Sequence, residues 1–190
     1  MKNEPAVRLF IAARLPFDLT ERLAAAQKLL AAAAVKCRLT RLEHLHLTLR
    51  FIGEVRAEMA ECVRQWFLGL ELPKLPVGSC VFDRYGSFPG KEGATVWAGL
   101  ACSEGIRDLQ RRIEQGLQSL GLPAESKPWV PHITLARRAQ PEQSLSAMLS
   151  ALPPGRSTVM LQEFVLFRSD FTQQGMRYTP LLIKKEIELN

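Results

Sequence analysis

The sequence predicts a mixed fold, α+β or α/β, arranged as two closely packed lobes. Two observations carry this. Stretches with an apolar period of 2 alternate with stretches of period 3.6, joined by short connections and by nothing resembling a long linker. A four-residue pattern also occurs twice, 86 residues apart, each time on a predicted strand. At 190 residues the chain has the length of one domain or of two small lobes sharing an interface. A chain of this size buries roughly 70% of its unfolded surface, so it needs no metal or disulfide staple to fold.

Val7 to Ala13 is a short apolar run ahead of Pro16 and reads as the first strand. Leu19, Leu23, Ala26, Leu30 and Ala34 then recur at helical spacing, so Asp18 to Val35 reads as a helix with Thr20 or Asp18 as its cap. His44 to Ile52 reads as a strand ending at Gly53. Met59, Cys62, Val63, Trp66, Phe67 and Leu70 mark a second helix, closed by Pro73. Ser79 to Tyr85 and Ala94 to Ala101 read as strands on either side of the Gly- and Pro-bearing loop from Gly86 to Gly93. Ser103 is placed to cap a helix whose core face is Ile106, Leu109, Ile113, Leu117 and Leu120, with Gly121 at its C′ position. A strand over Val130 to Ala136 and a short helix over Pro141 to Leu152 follow. After the Pro153-Pro154-Gly155 turn come two closing strands, Thr158 to Phe167 and Tyr178 to Glu188.

Composition removes several classes. Hydrophobic residues at 47% and charged residues at 23% are the mix of a globular protein, not of a disordered tail, a collagen-like chain or a disulfide scaffold. Leu9 to Ala13, bracketed by Arg8 and Arg14, is far shorter than the ~18 residues of a membrane span and lacks the core of a secretory signal. Cys37, Cys62, Cys80 and Cys102 form no CxxC pair, which argues against a zinc knuckle or redox motif. Buried or half-buried thiols in a reducing cytoplasm are expected instead. The net charge of +6 fits simple solubility and also fits attraction to a polyanion such as nucleic acid; charge alone does not decide.

The repeated pattern is His46-Leu47-Thr48-Leu49 and His132-Ile133-Thr134-Leu135, and it claims two of only three histidines. On a strand, His46 and Thr48 share one face while Leu47, Leu49 and Phe51 point to the other. Strict alternation carries the polar face on to Arg50, which places that guanidinium beside the histidines as an RNA-backbone contact or leaves it in solvent. One such motif is what any amphipathic strand shows. Two, facing each other across a cleft, offer an acid–base pair, because imidazole titrates near pH 6.5 and can serve in either protonation state. The threonine hydroxyls would hold the oxygens of an anion between the rings. That set suits the opening of a cyclic phosphodiester, with one imidazole taking a proton from water and the other protonating the departing oxygen. A nearby cation, Arg137 or Arg138, would stabilise the charge on the equatorial oxygens.

These residues resemble the two-histidine (2H) phosphoesterase superfamily, and within it the RNA 2′,3′-cyclic phosphodiesterases also known as 2′-5′ RNA ligases. The resemblance rests on Arg8-Leu-Phe-Ile-Ala, on His44-Leu-His-Leu-Thr-Leu-Arg-Phe-Ile-Gly53, on Pro131-His-Ile-Thr-Leu-Ala-Arg137 and on Arg177-Tyr-Thr-Pro-Leu181. It implies a bilobal α+β fold over residues 1–190, one catalytic domain with an antiparallel sheet in each lobe and the motifs facing a central cleft. It further implies hydrolysis of a terminal RNA 2′,3′-cyclic phosphate to a 2′-phosphate, without metal or other cofactor, and reversible 2′-5′ ligation as a related activity. His46 corresponds to the proton donor to the 3′-oxygen and His132 to the base that activates water. Thr48, Thr134 and Arg137 correspond to the phosphate-binding residues, which requires the second strand to end or bulge after Leu135, since alternation alone favours Arg138. The implied partner is an RNA bearing a 2′,3′-cyclic phosphate end, such as a tRNA fragment, met by a cytoplasmic monomer with no membrane association.

Three other readings compete. His44, His46 and His132 together have the composition of an open three-histidine zinc site, although that leaves both threonines unexplained. A non-catalytic RNA-binding module would keep the cleft and use Trp97, Trp129, Phe88 and Tyr178 to stack bases. Related two-histidine enzymes act on cyclic phosphates of ADP-ribose or on 2′-5′ linked oligonucleotides.

Overall fold

The computed structural model describes residues 6–72, 78–173 and 175–185. The chain runs through β1 (Val7–Arg14), α1 (Phe17–Ala32), β2 (Ala34–Leu39), β3 (His46–Val55), α2 (Ala57–Gly69), β4 (Ser79–Phe88), β5 (Ala94–Cys102) and α3 (Glu104–Ser119). It continues through β6 (His132–Pro141), α4 (Leu145–Ser150), β7 (Ser157–Met160), β8 (Glu163–Thr172) and β9 (Gly175–Lys185). Two sheets result, one in the order β3-β1-β8-β9 and one in the order β2-β6-β5-β4-β7. Every pairing is antiparallel. The fold is therefore α+β, and each sheet forms one lobe.

The strand β1 shows why its apolar run is unbroken. It lies inside the first sheet, between β3 and β8, and both of its faces are covered. Leu9, Ile11 and Ala13 belong to the main core with Val63 and Phe67 of α2. Phe10 and Ala12, on the other face, pack with Val165 and Phe167 of β8 and with Tyr178. That second, smaller cluster is the floor of the site described below. The helix α3 buries the stripe Ile106, Leu109, Ile113 and Leu117, and Gly121 follows at φ +85°, a conformation that costs glycine nothing.

Several expected elements shift. The first helix stops at Ala32, because residues 34–39 pair with β6 as an edge strand where a helical tail was expected. Neither Asp18 nor Thr20 caps it: Pro16 sits at the N-cap, and the Thr20 hydroxyl donates back to the Pro16 carbonyl at 3.2 Å. His44 closes a 3₁₀ turn, Leu42–His44, ahead of β3. The expected helix over 141–152 shortens to α4, with the Ser144 hydroxyl accepting from the Ala147 amide at 3.1 Å. The expected strand over 158–167 is two strands, because the chain leaves the second sheet for the first at Leu161 and Gln162; the Leu161 amide donates to Gly78 at 2.7 Å. Pro73 and Glu188 lie outside the described residues. Cys80 and Cys102 are buried, with Sγ atoms 2.8 Å apart across the β4–β5 pair, and Cys37 is half-buried. Cys62 is exposed, contrary to expectation, because it lies on the outer face of α2. Among the described residues no helix is long and apolar enough to cross a membrane.

Candidate active site

The motif strands β3 and β6 each begin on their histidine and share one burial pattern over six residues. Leu47 and Leu49 are buried behind His46 and Thr48; Ile133 and Leu135 are buried behind His132 and Thr134. Both strands then bulge at the same place. Against β1, Ala12 pairs with Thr48 and Ile11 with Arg50, so Leu49 is one residue extra. Against β5, Trp97 pairs with Thr134 and Val96 with Ala136, so Leu135 is one residue extra. The extra residue exchanges the faces: Arg50 and Ala136 turn inward, and Phe51 and Arg137 reach the cleft.

The bulges place the arginines on different sides of their strands. Arg50 does not face the cleft as alternation predicts. It is 8% exposed, with Nε 2.6 Å from Glu114 Oε2 and Nη1 3.2 Å from Glu125 Oε2, and it donates to the carbonyls of Phe51 and Pro123. Arg137 lines the cleft. Arg138, in the left-handed region at φ 55°, turns away and pairs with Glu92 at 2.7 Å.

The bulges are propped from behind. Gln27 of α1, 4% exposed, donates to the carbonyl of Leu135 at 2.8 Å and to that of Thr40 at 2.7 Å. Gln110 of α3 makes a longer contact, 3.5 Å, with the carbonyl of Leu49. Trp129, just ahead of β6, donates its indole N–H to the Thr48 carbonyl at 2.9 Å, which ties the loop leading into the second motif to the first motif.

The two imidazoles are held alike. His46 Nδ1 lies 2.7 Å from the His44 carbonyl, and His132 Nδ1 lies 2.7 Å from the Val130 carbonyl. A carbonyl only accepts, so each Nδ1 carries hydrogen and each Nε2 is left for chemistry. His46 Nε2 lies 3.0 Å from the Thr48 hydroxyl. Burial lowers the affinity of both rings for a proton. His46, packed against Phe10 at 5.1 Å and Tyr178 at 5.6 Å between centroids, falls to about 4, with the positive charge of nearby His44 and Arg137 adding to the burial effect. His132 falls below 6.5 by burial first and by Arg137 second. Both rings are therefore neutral at pH 7.

A cavity of about 450 Å³ joins these groups and draws its walls from both sheets. His46, Thr48, His132, Thr134, Arg137 and Tyr178 all line it, and so does His44, whose ring lies 4.5 Å from that of Tyr178. The three histidines do not gather into a ligand set; among the described residues no group of three His, Cys, Asp or Glu side chains is placed to hold a metal. Of the aromatics considered for base stacking, only Tyr178 reaches the cavity. Trp97 is buried, Phe88 packs against Trp97 and the edge of His132, and the Trp129 indole is engaged with Thr48.

Sequence reasoning missed the rest of the wall. Phe51 and the 75% exposed Phe171 flank the Arg8 guanidinium, at 4.9 and 5.3 Å from the ring centroids. Arg38, Thr40 and Arg41 enter from the β2 side. Among the described residues no acidic side chain lines the cavity.

Comparison with known proteins agrees with this architecture. A model of the 2′-5′ RNA ligase superfamily matches residues 11–171. An RNA 2′,3′-cyclic phosphodiesterase of Methanothermobacter thermautotrophicus is 27% identical over 183 residues, 92% of this chain and 96% of its own. One from Thermus thermophilus is 33% identical over 144 residues, 72% of this chain and 69% of its own. Among solved structures, Escherichia coli LigT complexed with 3′-AMP superposes with a TM-score of 0.71 at 26% identity, covering 95% of this chain and 98% of that one.

Proposed function

This chain belongs to the 2′-5′ RNA ligase superfamily, and on that premise we propose that it is an RNA 2′,3′-cyclic phosphodiesterase, working without metal as one two-lobed monomeric unit of the cytoplasm. One observation carries the reading: two His-x-Thr motifs, on strands of different sheets, bring two identically anchored imidazoles to one cavity that also holds a cation. The names of its relatives and the nucleoside phosphate bound by a structural neighbour support the same substrate class.

The chemistry follows from the Nε2 atoms. His132 Nε2 takes a proton from water as its oxygen attacks phosphorus. The P–O3′ bond breaks opposite the attack, and His46 Nε2 gives a proton to the departing 3′-oxygen, leaving a 2′-phosphate. Thr48, Thr134 and Arg137 hold the oxygens on which charge develops. His46 must be protonated for this, yet burial by itself keeps it neutral at pH 7. The anionic phosphate supplies the missing favourable charge when it binds, and so the acid is made by its substrate. The exposed rings of Phe51 and Phe171, with the Arg8 guanidinium between them, give the nucleoside a surface on which to stack.

The test is incubation of an oligoribonucleotide bearing a 2′,3′-cyclic phosphate, with and without EDTA, and identification of the product. Conversion to a 2′-phosphate that EDTA does not slow is expected. His46→Ala and His132→Ala should each lose about 10²–10⁴-fold in rate while still binding RNA. An end left intact by the wild type refutes the hydrolase, and a 3′-phosphate product refutes the assigned direction of attack. Inhibition by EDTA refutes the metal-independent mechanism.

A further inference from the structure

We infer that Arg38, set beside Arg137, forms a second phosphate subsite that takes the phosphodiester on the 5′ side of the terminal nucleotide, so that the site selects an RNA chain over a mononucleotide. The inference rests on the cyclic-phosphate reading above and extends it to a part of the cavity that the reaction does not use.

The pairing of β2 with β6 sets Arg38 directly opposite Arg137. Side chains so placed have Cβ atoms about 5 Å apart, and two like charges there repel. No carboxylate among the described residues pairs with either one, and no acidic side chain lines the cavity that both enter. Arg138, the next residue on β6, lies outside the cavity and pairs with Glu92 at 2.7 Å, while Arg41, which follows β2 and lines the cavity, pairs with Glu43 at 2.7 Å. Register holds the pair in place, because the Thr40 amide donates to the Leu135 carbonyl at 2.8 Å and Gln27 bonds the same carbonyl from behind.

Arg38 also points in a useful direction. Its Nη2 lies 3.5 Å from where a side chain at Gly175 would begin, so the guanidinium spans from the edge of the second sheet to the β8–β9 turn of the first. It lines the same cavity as His46 and His132. A chain whose terminal phosphate sits between His46 and His132 would bring its next phosphate, one nucleotide away, toward one end of this cavity. A planar guanidinium is the group that recognises such an oxygen pair.

The experiment compares adenosine 2′,3′-cyclic phosphate with a single-stranded trinucleotide ending in a 2′,3′-cyclic phosphate, in wild type, Arg38→Gln and Arg137→Gln. Fluorescence anisotropy of the same trinucleotide ending in a 3′-phosphate, titrated against salt, gives a binding readout that needs no turnover. The wild type should favour the trinucleotide, and Arg38→Gln should cut that preference about tenfold, through KM, as expected for losing one charge-assisted contact. Arg137→Gln should slow both substrates alike. The salt dependence of trinucleotide binding should weaken by about 0.7 in log–log slope in Arg38→Gln, the contribution of one phosphate on a single strand. Equal slowing of both substrates by Arg38→Gln, or an unchanged preference, overturns the inference while leaving the hydrolase standing. If the wild type opens neither cyclic phosphate, the hydrolase reading fails, and the anisotropy slope alone decides for Arg38: reduced, it supports the subsite, and unchanged, it overturns it.

Discussion

Replacing Arg50 by methionine separates the bulged strand from the regular one that alternation predicts. Methionine keeps the length of the stem and removes the guanidinium with its two acidic partners and two carbonyls. Removing one partner of a fully buried ion pair costs ~3–5 kcal/mol. The side chains of Glu114 and Glu125 retain 17% and 44% exposure, so water recovers part of that. A loss of about 2–3 kcal/mol remains after this discount. For a chain of this length it corresponds to a fall of roughly 4–12 °C in Tm. Circular dichroism melts measure the loss, and the KM for a cyclic-phosphate oligonucleotide well below the transition should stay at its wild-type value. The double variant Arg50→Met/Glu114→Leu should regain much of the stability, since the stranded carboxylate goes too. An Arg50→Met protein that melts like the wild type but binds RNA several-fold more weakly would put the side chain in the cleft and refute the bulge argument.

Three further outcomes follow from the same geometry. Burial holds His46 near 4 and His132 below 6.5 in the folded chain, whereas both titrate near 6.5 when unfolded, so between those values the unfolded chain binds more protons. Stability should therefore rise with pH from about 4 to 6.5, and Tm measured across that window should rise less steeply in His46→Asn; equal slopes would show that His46 is not held neutral. With His46 as the acid and His132 as the base, kcat/KM, which reports the free enzyme, should be highest between about 4 and 6.5 and decline as pH rises past that window, while kcat holds to higher pH because bound phosphate favours the protonated His46 ring. Gln27→Leu strands the Thr40 carbonyl and removes the prop from the Leu135 carbonyl, at a cost of about 1–3 kcal/mol. It should also raise KM by loosening the bulge that aims Arg137. A Gln27→Leu protein with lowered Tm and unaltered kinetics would show that the bulge stands without it.

The parts of this site legible in the sequence were those with a period. His46 and Thr48, His132 and Thr134 lie two apart on strands, and that spacing alone sets each pair on one face. The bulges were not legible, because Leu49 and Leu135 are apolar residues that suit a buried position on either side of the extra residue. Only the family pattern asked for Arg137 over Arg138; nothing asked for Phe51 over Arg50. The strand β2 was hidden for a different reason: the alanine-rich helix before it runs into Ala33 and Ala34 with no glycine or proline to mark the end, and only pairing with β6 makes residues 34–39 a strand. Arg8 and Arg38 come from segments far from either motif in sequence, so nothing local announces them. Gln27 did leave a signal, as a polar side chain four residues after Leu23 on a stripe that is otherwise leucine and alanine.

The near-identity of the two half-sites raises the question of what makes one histidine an acid and the other a base. Both rings hang from a carbonyl two residues earlier and both expose Nε2. Both strands bulge after the threonine, so the residue five after each histidine is delivered to the cleft: Phe51 in one lobe, Arg137 in the other. That is the asymmetry the fold provides. A guanidinium at the His132 position opposes protonation there and suits a base. An aromatic ring at the His46 position leaves that histidine enclosed by Phe10 and Tyr178 without a fixed anion, so burial holds it near 4 until a phosphate arrives. Once Arg137 is satisfied by phosphate oxygens its charge no longer weighs on His46, and the anion acts on His46 in the opposite sense. In the proposed mechanism the roles are then set by two residues of different charge at one repeated position and by the substrate between them.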